Sequence, residues 1–153
     1  GITPMYQAIL RHFGKRIKGD TLPTRTPKTK IHLFYGCKTI KDILLRDELE
    51  AIQRKYPDQL SIHYFLSNEP HSSLSFCDHK MFKFGRITRE DLLRICGDIL
   101  PVKKGNGSCD SRVWVCGPPS FYDAFSGPRG DKTMSPGCVL KDLGFKASKV
   151  VKF

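Results

Sequence analysis

The apolar positions of the chain change their period several times, and each change marks an element. Met5, Ala8, Ile9 and Phe13 recur at the three- and four-residue steps of one helix face. Thr3 ahead of them predicts an N-cap, and Pro4 the first helical position, where no N–H is needed. Residues 15–30 are polar and broken by Gly19, Pro23 and Pro27, which predicts a loop. Residues 31–35, Ile-His-Leu-Phe-Tyr, read as a strand ended by Gly36 and Cys37. Over 39–56, an apolar face of Ile43, Leu44, Leu45, Leu49 and Ile52 opposes alternating acids and bases. That pattern predicts one continuous helix, stopped by Pro57.

Leu60–Leu66 reads as a second strand, with His63 a packing or edge residue and not a ligand. Residues 67–84 show no period and read as irregular. Thr88, with Asp91 three residues on, predicts a capped helix start before Leu92, Leu93 and Ile95. Gly105-Asn106-Gly107 reads as a loop tip before a third strand. Beyond that strand come a loop over 126–137, a short helix over 139–143 stopped by Gly144, and a last strand over 149–153.

The densest chemistry lies in Val113-Trp114-Val115-Cys116-Gly117-Pro118-Pro119. The first three residues predict a short, fully buried strand. Gly117 supplies backbone freedom for a sharp turn. The prolines then open a helix over 120–125 that carries Phe121, Tyr122 and Phe125. The Cys116 thiol therefore sits at the carboxyl end of a strand, outside which open α/β sheets bind ligands. The same residues also fit a core cysteine ahead of an ordinary turn.

Strands alternating with helices over 153 residues predict one α/β domain with a doubly wound parallel sheet. The opening helix has no strand ahead of it, although such a sheet places its first, central strand there. The expectation is a domain entered after its first strand.

Charge widens the choice of function. The formal net charge is +11, and residues 11–30 hold seven Lys/Arg against the single acid Asp20. A basic stretch suits nucleic acid, anionic lipid or an acidic protein. No aromatics are interleaved after Phe13, so it is not a base-stacking platform, and a solvated loop is the simpler reading. No apolar run approaches the roughly 18 residues of a membrane span. The six cysteines, at 37, 77, 96, 109, 116 and 138, include no Cys-x-x-Cys pair, which predicts reduced thiols. Cys77-Asp78-His79 lacks the further ligands of a metal site. A cysteine-nucleophile enzyme would need a base beside Cys116, and no histidine is placed for it.

Several motifs occur in one order along nearly the whole chain. They are Gly1-Ile2-Thr3-Pro4-Met5, Asp42-Ile43-Leu44-Leu45-Arg46 with Glu48-Leu49, Gly85-Arg86-Ile87, Cys116-Gly117-Pro118-Pro119 and a terminal Phe153. Together they resemble the pyridine-nucleotide half of the ferredoxin–NADP reductase superfamily, and within it the cytochrome b5 reductases. The tail through Leu140-Lys141-Asp142-Leu143-Gly144-Phe145 is similar to fungal mitochondrial relatives. The resemblance implies NADH or NADPH across the strand ends and a hydride passed to FAD. Single electrons then go to a redox protein such as a cytochrome. It implies cofactor contacts at Gly1, Thr3 and Pro4, where a loop enters a helix N-terminus. Cys116, as catalytic residue, would lie beside the nicotinamide with Gly117 and Pro118, and Phe153 near the flavin. Ser67 and Glu69 stand where NADH-preferring members carry an acid for the ribose, so the nucleotide stays open. By the same resemblance, the barrel holding most FAD contacts, and any membrane-associating segment, would lie upstream. The implied setting is mitochondrial, with no nucleic-acid partner.

Overall fold

The structure, a computed structural model, describes residues 1–14, 29–70, 81–101 and 111–153. In chain order the elements are α1 (Thr3–Phe13), β1 (Ile31–Cys37), α2 (Arg46–Lys55), β2 (Leu60–Leu66), β3 (Phe82–Phe84) and α3 (Arg89–Cys96). They continue with β4 (Val113–Val115), α4 (Pro119–Phe125), α5 (Val139–Asp142) and β5 (Val150–Lys152). The backbone divides into two compact units, residues 9–88 and residues 1–8 with 89–153.

In the unit of residues 9–88 the strands pair in parallel, in the order β1-β2-β3. β1 and β2 run in step from Ile31 opposite Leu60 to Cys37 opposite Leu66, and β3 sets Phe84 opposite Leu66. All three strands therefore end level. Ile43, Tyr64, Leu66 and Phe82 bury one another, with Tyr35, Ile40 and Ile62 packed against them. β3 falls in the stretch read as irregular; three residues are too few to show a period. His63 stacks on His32 at 5.7 Å between ring centroids, a packing role as expected.

The helix expected over 39–56 is interrupted. A 3-10 turn spans Ile40–Asp42, Leu45 takes a left-handed φ of 59°, and α2 begins only at Arg46. A local capping box at Thr39 and hydrogen bonds to more distant groups explain the break. The Asp42 carboxylate accepts from the Thr39 N–H at 2.9 Å and the Thr39 hydroxyl at 2.8 Å. The Ile40 N–H donates to the Glu69 carboxylate at 2.7 Å, and the Leu44 N–H to the Tyr35 hydroxyl at 3.2 Å. Side chains from beyond β2 and from β1 thus replace helix bonds, which the apolar period does not reveal. Leu44 is left 65% exposed, while Leu49 and Ile52 stay buried on α2.

In the other unit β4 and β5 form a parallel pair, Val113 opposite Val150 and Val115 opposite Lys152. Val115, Tyr122, Phe125, Leu140, Leu143 and Phe145 are among its buried side chains. The strand expected to be fully buried is not: Val115 is buried, but Trp114 is 44% exposed, with Phe153 packed edge-on against it at 5.5 Å. Successive strand residues face opposite ways, and here only one face is covered. α3 starts directly after Thr88, as the cap predicts. β5 is shorter than expected because Ala147–Lys149 forms a 3-10 turn. At the chain start, the Tyr6 N–H bonds the Ile2 carbonyl at 2.9 Å. Thr3 and Pro4 therefore lie inside the first turn, one place later than the sequence suggested.

Cys37, Cys96, Cys116 and Cys138 are free thiols. Cys77-Asp78-His79, Cys109, the tip at 105–107 and most of the basic stretch, with Lys15, Arg16 and Lys18, lie outside the described residues. Among the described residues no cluster of His, Cys, Asp or Glu could hold a metal ion.

Candidate functional site

Cys116 follows β4 directly, and the Gly1 nitrogen lies 2.9 Å from its half-buried Sγ. The start of the chain and the end of a strand 115 residues away therefore meet. Ile2 is buried and anchors the loop, leaving Thr3 on the surface and Pro4 half-buried in the first turn of α1. Gly117 has no positive φ, so the turn does not use the backbone freedom that the sequence pointed to. Space is the constraint instead: a Cβ there would fall 2.8 Å from Phe121 Cδ1 and 3.1 Å from its Cβ and Cγ. Pro118 is extended, at φ −68° and ψ 163°, and its carbonyl accepts the Phe121 N–H at 2.9 Å, starting α4 at Pro119.

Two residues that the sequence did not single out brace this strand end. The buried Tyr122 hydroxyl donates to the Phe153 carbonyl and lies 3.4 Å from the Val115 carbonyl. Burial, then the neighbouring Cys116, pushes the phenol pKa up and keeps it a donor. The Phe153 N–H in turn donates to Val115 at 3.1 Å, so Phe153 is fixed at the end of β4. Lys152 Nζ donates to the carbonyls of Pro128, Asp131 and Thr133 at 3.0, 3.1 and 2.9 Å, pinning that loop to β5.

A second strand-end region forms in the unit of residues 9–88. Because its strands end level, Lys38, Ser67 and Gly85 come into line. The Ser67 N–H bonds Cys37 at 3.0 Å, the Asn68 N–H bonds Lys38 at 2.8 Å, and the Gly85 N–H bonds Leu66 at 2.8 Å. Gly85 turns the chain at φ +96°, which a side chain would resist, and Arg86 follows. Lys38, Ser67, Asn68, Gly85 and Arg86 line an open cleft of about 330 Å³. Two cations, a hydroxyl and an amide, with no carboxylate in the lining among the described residues, suit a phosphate ester. Glu69 is not in that lining; its carboxylate is engaged by the Ile40 N–H. A larger groove of about 510 Å³ by Leu10, Phe13, Ile52 and Tyr56 has acids Asp47 and Glu48 and no strand-end residue. The sequence had marked Ser67 as a site residue and Arg86 only within the Gly85-Arg86-Ile87 motif, and had not marked Lys38 or Asn68. Their one signal is position, just past the strand ends.

Residues 1–127 match the family model described as oxidoreductase NAD-binding domain. The chain belongs to that family. This NAD-binding domain is 40% identical, over 159 aligned residues, to NADH-cytochrome b5 reductase 2 of Candida glabrata, covering all of the chain and 44% of that relative. It is 38% identical to the protein of the same name from Yarrowia lipolytica, covering all of the chain and 45% of that relative. The domain thus spans less than half the length of these relatives. In structure it is similar, over its whole length, to the cytochrome b5 reductase domain of Ulva prolifera nitrate reductase. That match has 25% identity and a TM-score of 0.66 and covers 46% of the solved chain. The fold also matches the CS-b5R domains of human Ncb5or in the NAD+ form, with 22% identity and a TM-score of 0.66, over the whole of this chain and 34% of that one. The parallel α/β fold and the resemblance read from the motifs both hold.

Proposed function

We propose that this NAD-binding domain serves a flavin-dependent reductase of the cytochrome b5 reductase kind, which binds a reduced pyridine nucleotide. The reading is carried by the placement of Gly1, just ahead of α1, against Cys116 at the end of β4 within one unit. It sets the loop entering α1 beside the carboxyl end of β4, the end of a strand at which such folds take their ligands. On this reading the nicotinamide lies against Cys116, Gly117 and Pro118. Gly1 and Thr3 approach the pyrophosphate, Pro4 fixes the start of α1, and the helix N-terminus favours the negative charge. Cys116 sets the position of the ring, since the cofactors carry the redox chemistry themselves. The chemistry supplied by bound nucleotide and FAD is hydride transfer followed by single-electron release to a redox protein, cytochrome b5 by the relatives' name. Phe153, held by Val115 and Tyr122, bounds the site on its flavin side. Ser67 and Glu69, which the resemblance assigned to the ribose, lie in the unit of residues 9–88, Ser67 in the cleft with Lys38 and Arg86 and Glu69 bonded to the Ile40 N–H.

The test is direct. The full-length protein should purify yellow, with a flavin spectrum, and should oxidise NADH or NADPH with an artificial one-electron acceptor. A colourless protein that oxidises neither nucleotide contradicts the reading.

A further inference from the structure

We propose that Lys152 is a positioning residue for the reductase reaction: its ammonium clamps the 128–133 loop to β5 and thereby fixes Phe153 on the flavin side of the site. The inference rests on the reductase reading above and deepens it, because that reading gives Lys152 no part. All the residues involved belong to the unit of residues 1–8 and 89–153.

An ammonium carries three N–H groups and no acceptor. Those of Lys152 meet three carbonyls, of Pro128 at 3.0 Å, Asp131 at 3.1 Å and Thr133 at 2.9 Å. Carbonyl dipoles converging from so short a stretch oppose one another unless a cation sits among them. Lys152 supplies that cation. The neck of the loop is closed by packing instead: Gly127 has a φ of +82°, and a Cβ there would lie 2.5 Å from Ser135 Oγ and 2.7 Å from its backbone nitrogen. The Gly127 N–H donates to the Tyr122 carbonyl at 2.7 Å, which ties the neck to α4. Beyond the neck residues 128–133 are exposed, and Lys152 joins their carbonyls to β5.

β5 gains from the tie. It is three residues long and, among the described residues, lies in a two-stranded sheet with β4, a pairing that is marginal by itself. Lys152 stands opposite Val115, and the next residue, Phe153, presents its ring to the other face. There it meets Trp114 edge-on at 5.5 Å, while its carbonyl accepts from the Tyr122 hydroxyl. Fixing Lys152 on one face therefore fixes the backbone that carries Phe153 on the other.

The experiment uses the full-length protein as wild type, Lys152→Met and Lys152→Arg. Met keeps an apolar stem without the ammonium, and Arg keeps the charge but offers a planar fork to carbonyls that converge on a point. Tryptic cleavage after the exposed Arg129 and Lys132, located by mass spectrometry, reads the loop. Fluorine NMR of fluorotryptophan-labelled protein, with the Trp114 resonance assigned by its loss in Trp114→Phe, reads the placement of Phe153. Stopped-flow reduction of the flavin by NADH reads the reaction. Lys152→Met should be cut in the loop about tenfold faster, with the Trp114 resonance displaced. Its limiting rate of flavin reduction should fall about tenfold, with nucleotide affinity little changed. Lys152→Arg should lie between. Ammonium ion, which fits the vacated place, should restore all three readouts in Lys152→Met, and tetramethylammonium, a cation without N–H groups, should restore none.

Unchanged cleavage in Lys152→Met would mean that the ammonium does not hold the loop, and the inference fails. If the loop opens while the Trp114 resonance and the limiting rate keep wild-type values, Lys152 serves the loop alone, and the inference fails again. Equal rescue by the two cations would assign the effect to ionic strength and overturn it as well. Should Lys152→Met not fold, Lys152→Arg carries the same readouts, and wild-type values there overturn the proposal. If the loop and Trp114 respond as expected but the wild type oxidises no nucleotide, the placement of Phe153 by Lys152 stands and the reductase reading fails.

Discussion

The strand end at Cys116 and the cleft at Lys38 are made in opposite ways. Around Cys116 the parts are held by packing: Ile2 and Tyr122 are buried, Phe153 is bonded to Val115, and Gly117 has no room for a methyl group. Around the cleft the backbone is fixed and the Ser67 hydroxyl reaches the Cys37 carbonyl at 3.4 Å, while Lys38, Ser67, Asn68 and Arg86 carry exposed side chains. The difference follows from the proposed tasks. Hydride transfer depends on placement within a fraction of an ångström, whereas a phosphate is recognised by charge and donors that long side chains deliver. Substitutions in the first region should therefore alter geometry and stability, and in the second selectivity alone.

The largest break is expected at Gly117. Gly117→Val drives carbon into Phe121, at a cost on the order of 1–3 kcal/mol of stability. Displacing the turn should slow flavin reduction by about 100-fold, the scale of an ångström's misplacement. Thermal unfolding and single-turnover reduction check both parts; a variant with wild-type values would mean that Phe121 yields freely. Tyr122→Phe comes next. It leaves the Phe153 carbonyl without its buried donor, for a loss of about 1–3 kcal/mol in a denaturant midpoint, with nucleotide selectivity unchanged. A shift in the NADPH-to-NADH ratio instead would erase the contrast between the two regions.

The smallest effect belongs to the turn beside Lys38. Bonds from the Thr39 hydroxyl and N–H, with a lesser pull from Lys38, hold the Asp42 carboxyl below its usual range. A folded-state pKa depressed in this way stabilises above the unfolded pKa, and the gain is lost as pH falls through the folded value. Asp42→Ala should therefore unfold slightly below wild type at neutral pH, and the gap should close on acidification. A gap that persists in acid would assign it to packing.

The sequence was legible where structure is local. Leu60–Leu66 and Val113–Val115 have the predicted bounds, and the Gly117-Pro118-Pro119 turn opens a helix as its prolines require. It misled where distant groups intervene. Nothing in the period of Ile43, Leu44 and Leu45 announces that Glu69 and Tyr35 will take the N–H groups of Ile40 and Leu44. Gly117 was marked correctly for the wrong reason, since its neighbour Phe121 lies one helical turn on and only packing brings it near. Lys38 and Arg86, 48 positions apart, share a cleft because parallel register levels three strand ends. Register is a property of pairing, not of either segment.

The most direct test of Cys116 as the residue that positions the nicotinamide is stopped-flow reduction of the flavin by excess NADH in the full-length protein, comparing wild type with Cys116→Ala and Cys116→Ser. The limiting rate should fall about 10–100-fold in the Ala variant, with a smaller change in nucleotide affinity, and the nearly isosteric Ser variant should retain more of it. An unaltered limiting rate in Cys116→Ala would make Cys116 an ordinary core thiol, and abolition in both variants would make it a chemical participant.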